Sequence, residues 1–213
     1  MQDIRKVVRE GYEKGDYAKA FRMHTLKLTK FELNLFKNLF NLLPQKGKIL
    51  DLGCGLGIPY DKYLVDNGFN LIGVDFSKKH VSMARKNVPK AKFIYKDFTK
   101  VKFRPATFDA IVSFYAIFHI PRKENEKLFL TINKLLKRNG IILVSLGTGG
   151  EEYGFEKNWI GASMAWSTYK PKEYESIIRN NGFKIIKSVF EGKPGDKEYH
   201  FWVLAKKLGK CNR

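Results

Sequence analysis

The sequence of 213 residues predicts a doubly wound α/β domain, in which helices cover both faces of a mostly parallel sheet. Segments with helical spacing alternate along the chain with short apolar segments, an order typical of parallel strands joined by helices. The apolar segments are continuous rather than alternating, which indicates strands that are buried on both faces. A glycine-rich loop after the first strand predicts a ligand site at the carboxyl ends of the strands.

The first half of the chain contains four of the predicted strands. Residues 1–15 are polar and favour no definite element, whereas apolar residues at helical spacing predict a helical region over residues 16–43. Pro44 and Gly47 end that region. Strands are predicted over 48–52, 69–74, 91–95 and 108–114, with helices over 59–67 and 77–88.

The second half begins with a predicted helix over 122–137, which closes at Asn139-Gly140 before a fifth strand over 141–146. Residues 147–170 are rich in glycine and aromatic residues and are predicted to form an insertion. A helix over 171–181 and two strands over 183–190 and 199–205 complete the chain. The turn between these strands is too short for a helical crossover, so we expect an antiparallel hairpin.

The charge balance is strongly basic. Forty Lys and Arg residues against 21 Asp and Glu give a net charge of +19, which attracts anionic partners. The basic residues are spread along the whole chain, and Lys greatly outnumbers Arg, the residue that reads phosphates and bases in a bidentate manner. We therefore favour a solvated lysine surface, and a nucleic-acid partner stays open without being favoured.

Composition also excludes several classes of protein. Two cysteines, Cys54 and Cys211, cannot form a disulfide framework or a zinc site of the spaced-cysteine type, and with only four histidines we predict no metal site. No window contains 18 apolar residues, and the chain does not begin with an apolar signal segment. The sequence therefore predicts no membrane partner and a cytoplasmic location.

One motif distinguishes between two cofactor classes. It runs from Asp51 to Gly57 and reads Asp-Leu-Gly-Cys-Gly-Leu-Gly. A dinucleotide-binding loop would need glycine where the chain has Ile58, and Asp51 would repel a pyrophosphate. The sulfonium and ammonium groups of S-adenosylmethionine instead suit a carboxylate at that place. Asp75, 24 positions after Asp51, stands where an acid can hold a pair of ribose hydroxyls.

These motifs resemble those of class I S-adenosylmethionine-dependent methyltransferases of the small-molecule type. The matching segments are 49–57, 72–77, 95–98, 108–113 and 136–143. The resemblance implies a Rossmann-like seven-stranded sheet with an antiparallel last strand and an N-terminal helical extension. It divides the chain into an N-terminal segment or lid (1–47), a methyltransferase domain (48–206) and a basic tail (207–213).

The resemblance also implies which residues bind the cofactor. They are Asp51, Gly53, Cys54, Gly55 and Gly57 at the methionine end, Asp75 at the ribose, Phe76, Asp97 and Phe98 at the adenine, and Ser113 and Phe114 beneath the sulfonium. We interpret the thiol of Cys54 as a small filler of the loop rather than a nucleophile.

Methyl transfer from a sulfonium is an in-line displacement on an activated donor, so alignment and desolvation carry most of the catalysis. His119 is the candidate base because it follows the strand end that faces the methyl group, although its ring could instead be held by the backbone. Candidate acceptor contacts are the aromatic residues Tyr12, Tyr17, Trp159, Trp166 and Tyr169. The aromatic residues of the insertion could equally pack it onto the sheet.

We therefore expect an enzyme that moves a methyl group from S-adenosylmethionine to a small molecule and releases S-adenosylhomocysteine. Two alternatives keep the cofactor: an RNA or protein acceptor, which the net charge motivates, and a non-catalytic binding module. A nicotinamide dehydrogenase is disfavoured by Ile58 and Asp51.

Overall fold

The computed structural model describes residues 3–15, 27–159, 161–196 and 199–209. The helices in this part of the chain are α1 (Ile4–Lys14), α2 (Lys30–Phe40), α3 (Tyr60–Asp66), α4 (Lys78–Asn87), α5 (Asn125–Leu135) and α6 (Pro171–Asn180). The strands are β1 (Lys48–Leu52), β2 (Asn70–Asp75), β3 (Lys92–Tyr95), β4 (Phe108–Ser113), β5 (Leu136–Leu146), β6 (Gly154–Trp159), β7 (Ala162–Trp166), β8 (Phe183–Glu191) and β9 (His200–Lys207).

Seven strands form the main sheet in the order β3-β2-β1-β4-β5-β9-β8. Strands β1 to β5 pair in parallel, and β9 is antiparallel to both β5 and β8. The predicted Rossmann-like sheet with an antiparallel last strand is therefore confirmed. In the register of the sheet, Asp51 lies opposite Gly73, and Asp75 lies opposite Tyr95. The acids near the carboxyl ends of β1 and β2 therefore lie at the same edge of the sheet.

Helices cover both faces of the sheet, as the continuous apolar strands predict. Leu50 and Leu52 of β1 belong to a core that α5 and α6 complete. Ile49 belongs to the opposite core, which includes residues of α2, α3 and α4. Because successive side chains of a strand point to opposite faces, Asp51 lies on the same face as Ile49.

The N-terminal region differs from the prediction. Residues 1–15, which favoured no element, contain α1, where Asp3 caps the helix by accepting from the backbone N–H of Arg5. The helical region predicted over 16–43 is wrong at residues 27–29 and 41–43. Thr29 caps the start of α2 in a capping box with Glu32, and the helix ends at Phe40. Residues 16–26 lie outside the described part of the chain.

Three features of the second half also differ from the prediction. Helix α5 ends at Leu135, and β5 begins directly after it, with Asn139 in the left-handed conformation at φ 63°. The segment 147–170 contains the antiparallel hairpin of β6 and β7, which the sequence did not predict. Lys207, the first residue of the predicted basic tail, lies in β9 and donates to two backbone carbonyls.

Among the described residues, no helix combines the length and apolar character that crossing a membrane requires.

Candidate active site

A cleft opens at the carboxyl ends of β1, β2 and β4, where doubly wound sheets bind their ligands. Seven predicted cofactor residues line it: Gly53, Gly55, Asp75, Phe76, Asp97, Phe98 and Phe114. Tyr12 and His119, predicted as an acceptor contact and as the candidate base, line the same cleft. The fold thus brings together residues that are more than one hundred positions apart.

The glycine loop lies against β2 at one wall of the cleft. The backbone N–H groups of Gly53 and Cys54 donate to the carbonyl of Val74. Gly53 has a φ of 89°, and a Cβ placed there would lie 2.3 Å from the Cβ of Ala116. The tight turn and the close approach of the segment after β4 therefore both require glycine at this position.

Asp75 is held in place by the loop that it faces. One carboxylate oxygen accepts from the N–H of Gly55 at 3.0 Å, and the other accepts from the N–H of Ser77 at 2.9 Å. Burial raises the pKa of Asp75, while the imidazole of His80, 3.9 Å away, and the two N–H donors lower it. Ser77 caps α4, because its hydroxyl accepts from the N–H of His80.

Asp97 is engaged by the N-terminal helix. One oxygen accepts from the backbone and hydroxyl of Thr99, and the other lies 3.1 Å from Nε of Arg5. The Arg5 guanidinium also donates to both oxygens of Glu124 at 2.8 and 2.6 Å. Arg5 lines the cleft and was not predicted from the sequence, since a lone arginine in a polar segment gives no signal of its partners.

Tyr12 and His119 are joined by a hydrogen bond. Nδ1 of His119 lies 2.9 Å from the carbonyl oxygen of Ala165, which can only accept, so Nδ1 is the donor there. Nε2 then accepts from the Tyr12 hydroxyl at 2.9 Å. Burial lowers the pKa of His119 to about 4, which keeps the ring neutral near neutral pH, and the Ala165 carbonyl fixes the tautomer.

Four predicted cofactor residues do not line the cleft: Asp51, which is described below, and Ser113, Gly57 and Cys54. The hydroxyl of Ser113 donates to the carbonyl of Leu52 at 2.6 Å and ties β4 to β1. Gly57 faces side chains of α4 and β3. Cys54 is buried, and burial raises the pKa of its thiol, which fits a filler rather than a nucleophile.

The predicted acceptor contacts of the insertion separate into two groups. The ring of Trp159 meets the edge of the Tyr12 ring at a centroid distance of 6.0 Å, next to the cleft. The ring of Trp166 instead lies against Gly154, and Tyr169 lies under the guanidinium of Arg122 at 5.2 Å. Neither of these two residues lines the cleft. Tyr17 lies outside the described residues.

Helix α1 lines the cleft through Arg5 and Tyr12, and the β6–β7 hairpin packs on this helix. Ile4, Val7 and Val8 of α1 pack with Met164 and Ala165 of β7 in a small core of their own. A Cβ at Gly11 would lie 2.5 Å from the backbone oxygen of Ser163, so the two elements pack at backbone distance. We refer to α1 and the β6–β7 hairpin as the cover.

A pair of carboxyl groups lies beneath the glycine loop. Asp51 and Asp61 are 2% and 1% exposed, and burial raises the pKa of both. Asp61, in the first turn of α3, was not predicted as a site residue. The sequence signal that could have identified it is an acidic residue in the first turn of a buried helix. In the described ranges, no group of three His, Cys, Asp or Glu residues could hold a metal ion.

Comparisons with known proteins agree with the resemblance of the chain's motifs to class I S-adenosylmethionine-dependent methyltransferases. Residues 50–144 match a family model described as a methyltransferase domain, and this range contains the glycine loop, Asp75 and His119.

Two curated relatives and one solved structure illustrate the similarity. Phosphoethanolamine N-methyltransferase of Triticum aestivum is 30% identical over 161 residues, which cover 71% of this chain and 30% of the relative. Sterol 24-C-methyltransferase of Candida albicans is 27% identical over 192 residues, which cover 82% and 47%. The chain thus spans less than half the length of either relative.

The crystal structure of magnesium protoporphyrin IX methyltransferase (ChlM) from Synechocystis PCC 6803 with bound SAM matches with a TM-score of 0.70. The match has 17% identity and covers 97% of this chain and 98% of that one. It supports the fold.

Proposed function

We propose that this protein binds S-adenosylmethionine in the cleft and transfers its methyl group to a small-molecule acceptor, releasing S-adenosylhomocysteine. One observation carries the proposal: Asp75 ends β2 in an aromatic cleft, tied to the N–H of Gly55 in the glycine loop of this family. A carboxylate fixed in this way can hold a ribose diol. Phe76 and Phe98 flank that position and suit the faces of an adenine.

The cover favours a small acceptor. Helix α1 closes one side of the cleft through Arg5 and Tyr12, and it packs at backbone distance on β7. A folded RNA or protein would have to displace this cover to reach the cleft. Phosphoethanolamine and sterols, which give two of the relatives their names, are small molecules.

Tyr12 and His119 are the groups that we assign to the acceptor. When bound, the cofactor supplies a methyl group on a sulfonium that is open to in-line displacement. His119 accepts from the Tyr12 O–H group and fixes its direction, which orients the phenol oxygen at the wall of the cleft. With a pKa of about 4, His119 is a weak base, so orienting the acceptor suits it better than removing a proton from an alcohol.

The test uses S-adenosylmethionine with a labelled methyl group and the full chain. Pools of small amines, phenols, carboxylic acids and sterols are compared with total RNA and with a protein extract. We expect label in a small-molecule pool and a lower kcat for His119→Gln. Label only in RNA or protein would overturn the small-molecule acceptor, and cofactor binding without any transfer would favour a binding module.

A further inference from the structure

The two buried carboxyl groups beneath the glycine loop lack donors. Asp51 comes from the end of β1 and Asp61 from the first turn of α3. Three oxygens of the pair have no hydrogen-bond partner among the other described residues. They are both oxygens of Asp61 and Oδ1 of Asp51. Buried carboxylates normally accept hydrogen bonds or face a cation, so the pair lacks a partner that a ligand could provide.

The surroundings of the pair are acidic. Burial is the largest cause of the raised pKa of each carboxyl, and Asp75 of β2 raises both further. The pKa of the Cys54 thiol, in the loop above, is raised by burial and also by Asp51, Asp61 and Asp75. Two acids in contact in such a place cannot both be ionised, so without a ligand they share a proton near neutral pH.

The pair lies close to the cleft. Asp51 is two residues before Gly53, which lines the cleft, and Asp75, which acts on both carboxyls, lines it too. A cation at the loop could therefore neutralise the pair in place of the shared proton. Such a pair costs stability without a cation, since apolar residues would fill the same space at lower cost.

We propose that Asp61 joins Asp51 in binding the α-ammonium group at the methionine end of the cofactor, and that the shared proton leaves when the ammonium arrives. This inference rests on the proposed function, because it concerns the same cofactor. It adds a second carboxylate to the methionine subsite and couples cofactor binding to proton release.

Proton release has a measurable consequence. Affinity for a ligand that carries the ammonium should rise with pH up to neutral pH, by up to about tenfold per unit. A ligand with the same adenine, ribose and thioether but no ammonium should lack that dependence. Asp75 faces the ribose in both cases, so its own titration is common to both ligands.

The experiment is isothermal titration calorimetry at pH 6.5 in two buffers of different ionisation enthalpy. The two ligands are S-adenosylhomocysteine and 5′-deoxy-5′-methylthioadenosine, which lacks the amino-acid part. We expect wild type to release about one more proton with the first ligand than with the second. Asp61→Asn should lose that difference, whereas Asp66→Asn, an exposed acid on the same helix, should keep it.

The outcomes separate the two proposals. If both ligands bind to wild type with equal proton release, or if Asp61→Asn keeps the difference, the inference about Asp61 is wrong and the proposed function stands. If neither ligand binds to wild type, the proposed function is wrong. The comparison of ligands on wild type needs no variant, and a thermal melt checks that Asp61→Asn is folded.

Discussion

The hydroxyl of Tyr12 lies 2.9 Å from Nε2 of His119 and joins the N-terminal helix to the segment after β4. The other nitrogen of the same ring bonds to Ala165 of β7. One imidazole thus connects both elements of the cover to the end of a central strand. In the proposed function, positioning of the acceptor and closure of the cleft would therefore depend on the same hydrogen bonds.

Tyr12→Phe should loosen this connection. The lost hydrogen bond contributes roughly 0.5–1.5 kcal/mol, so we expect S-adenosylhomocysteine to dissociate about twofold to tenfold faster. Stopped-flow fluorescence measures that rate. Tyr95→Phe removes a hydroxyl from an exposed ring and serves as the control. An unchanged rate in Tyr12→Phe would show that the hydrogen bond does not hold the cover.

Arg5→Ala should detach the N-terminal end of α1. The guanidinium donates to both oxygens of Glu124 and forms an ion pair with Asp97, and charge-assisted hydrogen bonds contribute roughly 1.5–3 kcal/mol before screening by solvent. We expect the amides of α1 to exchange hydrogen several times faster, together with weaker cofactor binding. Arg9→Ala removes the same charge from the exposed side of α1 and should have neither effect.

Gly11→Ala separates helix propensity from packing. Alanine favours a helix by about 1 kcal/mol over glycine, so an independent α1 would become more stable. Here the new Cβ would meet the backbone oxygen of Ser163 at 2.5 Å, and α1 has to move away from β7. We expect faster hydrogen exchange in both elements, whereas Glu10→Ala on the exposed side should leave β7 unchanged. Slower exchange in Gly11→Ala would contradict the close packing.

Asp61→Asn should stabilise the cofactor-free protein at alkaline pH. Folding raises the pKa of Asp61 from its usual 3.8 to about 7, so the folded state binds more protons and loses stability as pH rises between these values. Removing the charge should raise the free energy of unfolding by about 2–4 kcal/mol at pH 8. The gain should vanish near pH 3 and below, under both pKa values, where the carboxyl is protonated in both states. Urea unfolding at the two pH values measures this, and equal gains would contradict the burial argument.

The sheet and the cofactor loop could be predicted because their signals are local. Continuous apolar strands, the spacing of Gly53, Gly55 and Gly57, and an acid at the end of β2 require no knowledge of distant contacts. Burial on both faces and the backbone conformation of the loop restrict the residues at these positions.

The cover and the carboxyl pair could not be predicted in the same way. The apolar stripe of α1 is short, and only its packing on β7 shows that it is part of a core. It consists of Ile4, Val7 and Val8. The side chains of Arg5 and Asp61 meet partners from other elements, and the sequence does not show which polar residue pairs with which. Tertiary contacts between polar groups decide these parts of the site.

The central claim is that Asp75 and the glycine loop hold an adenosyl thioether and not a dinucleotide. Equilibrium dialysis with S-adenosylhomocysteine and with NADH tests it directly, on wild type and on Asp75→Ala. We predict micromolar binding of the thioether to wild type, at least tenfold weaker binding to Asp75→Ala, and no binding of NADH. Equal affinity of the two proteins for the thioether, or preference of wild type for NADH, would contradict the account.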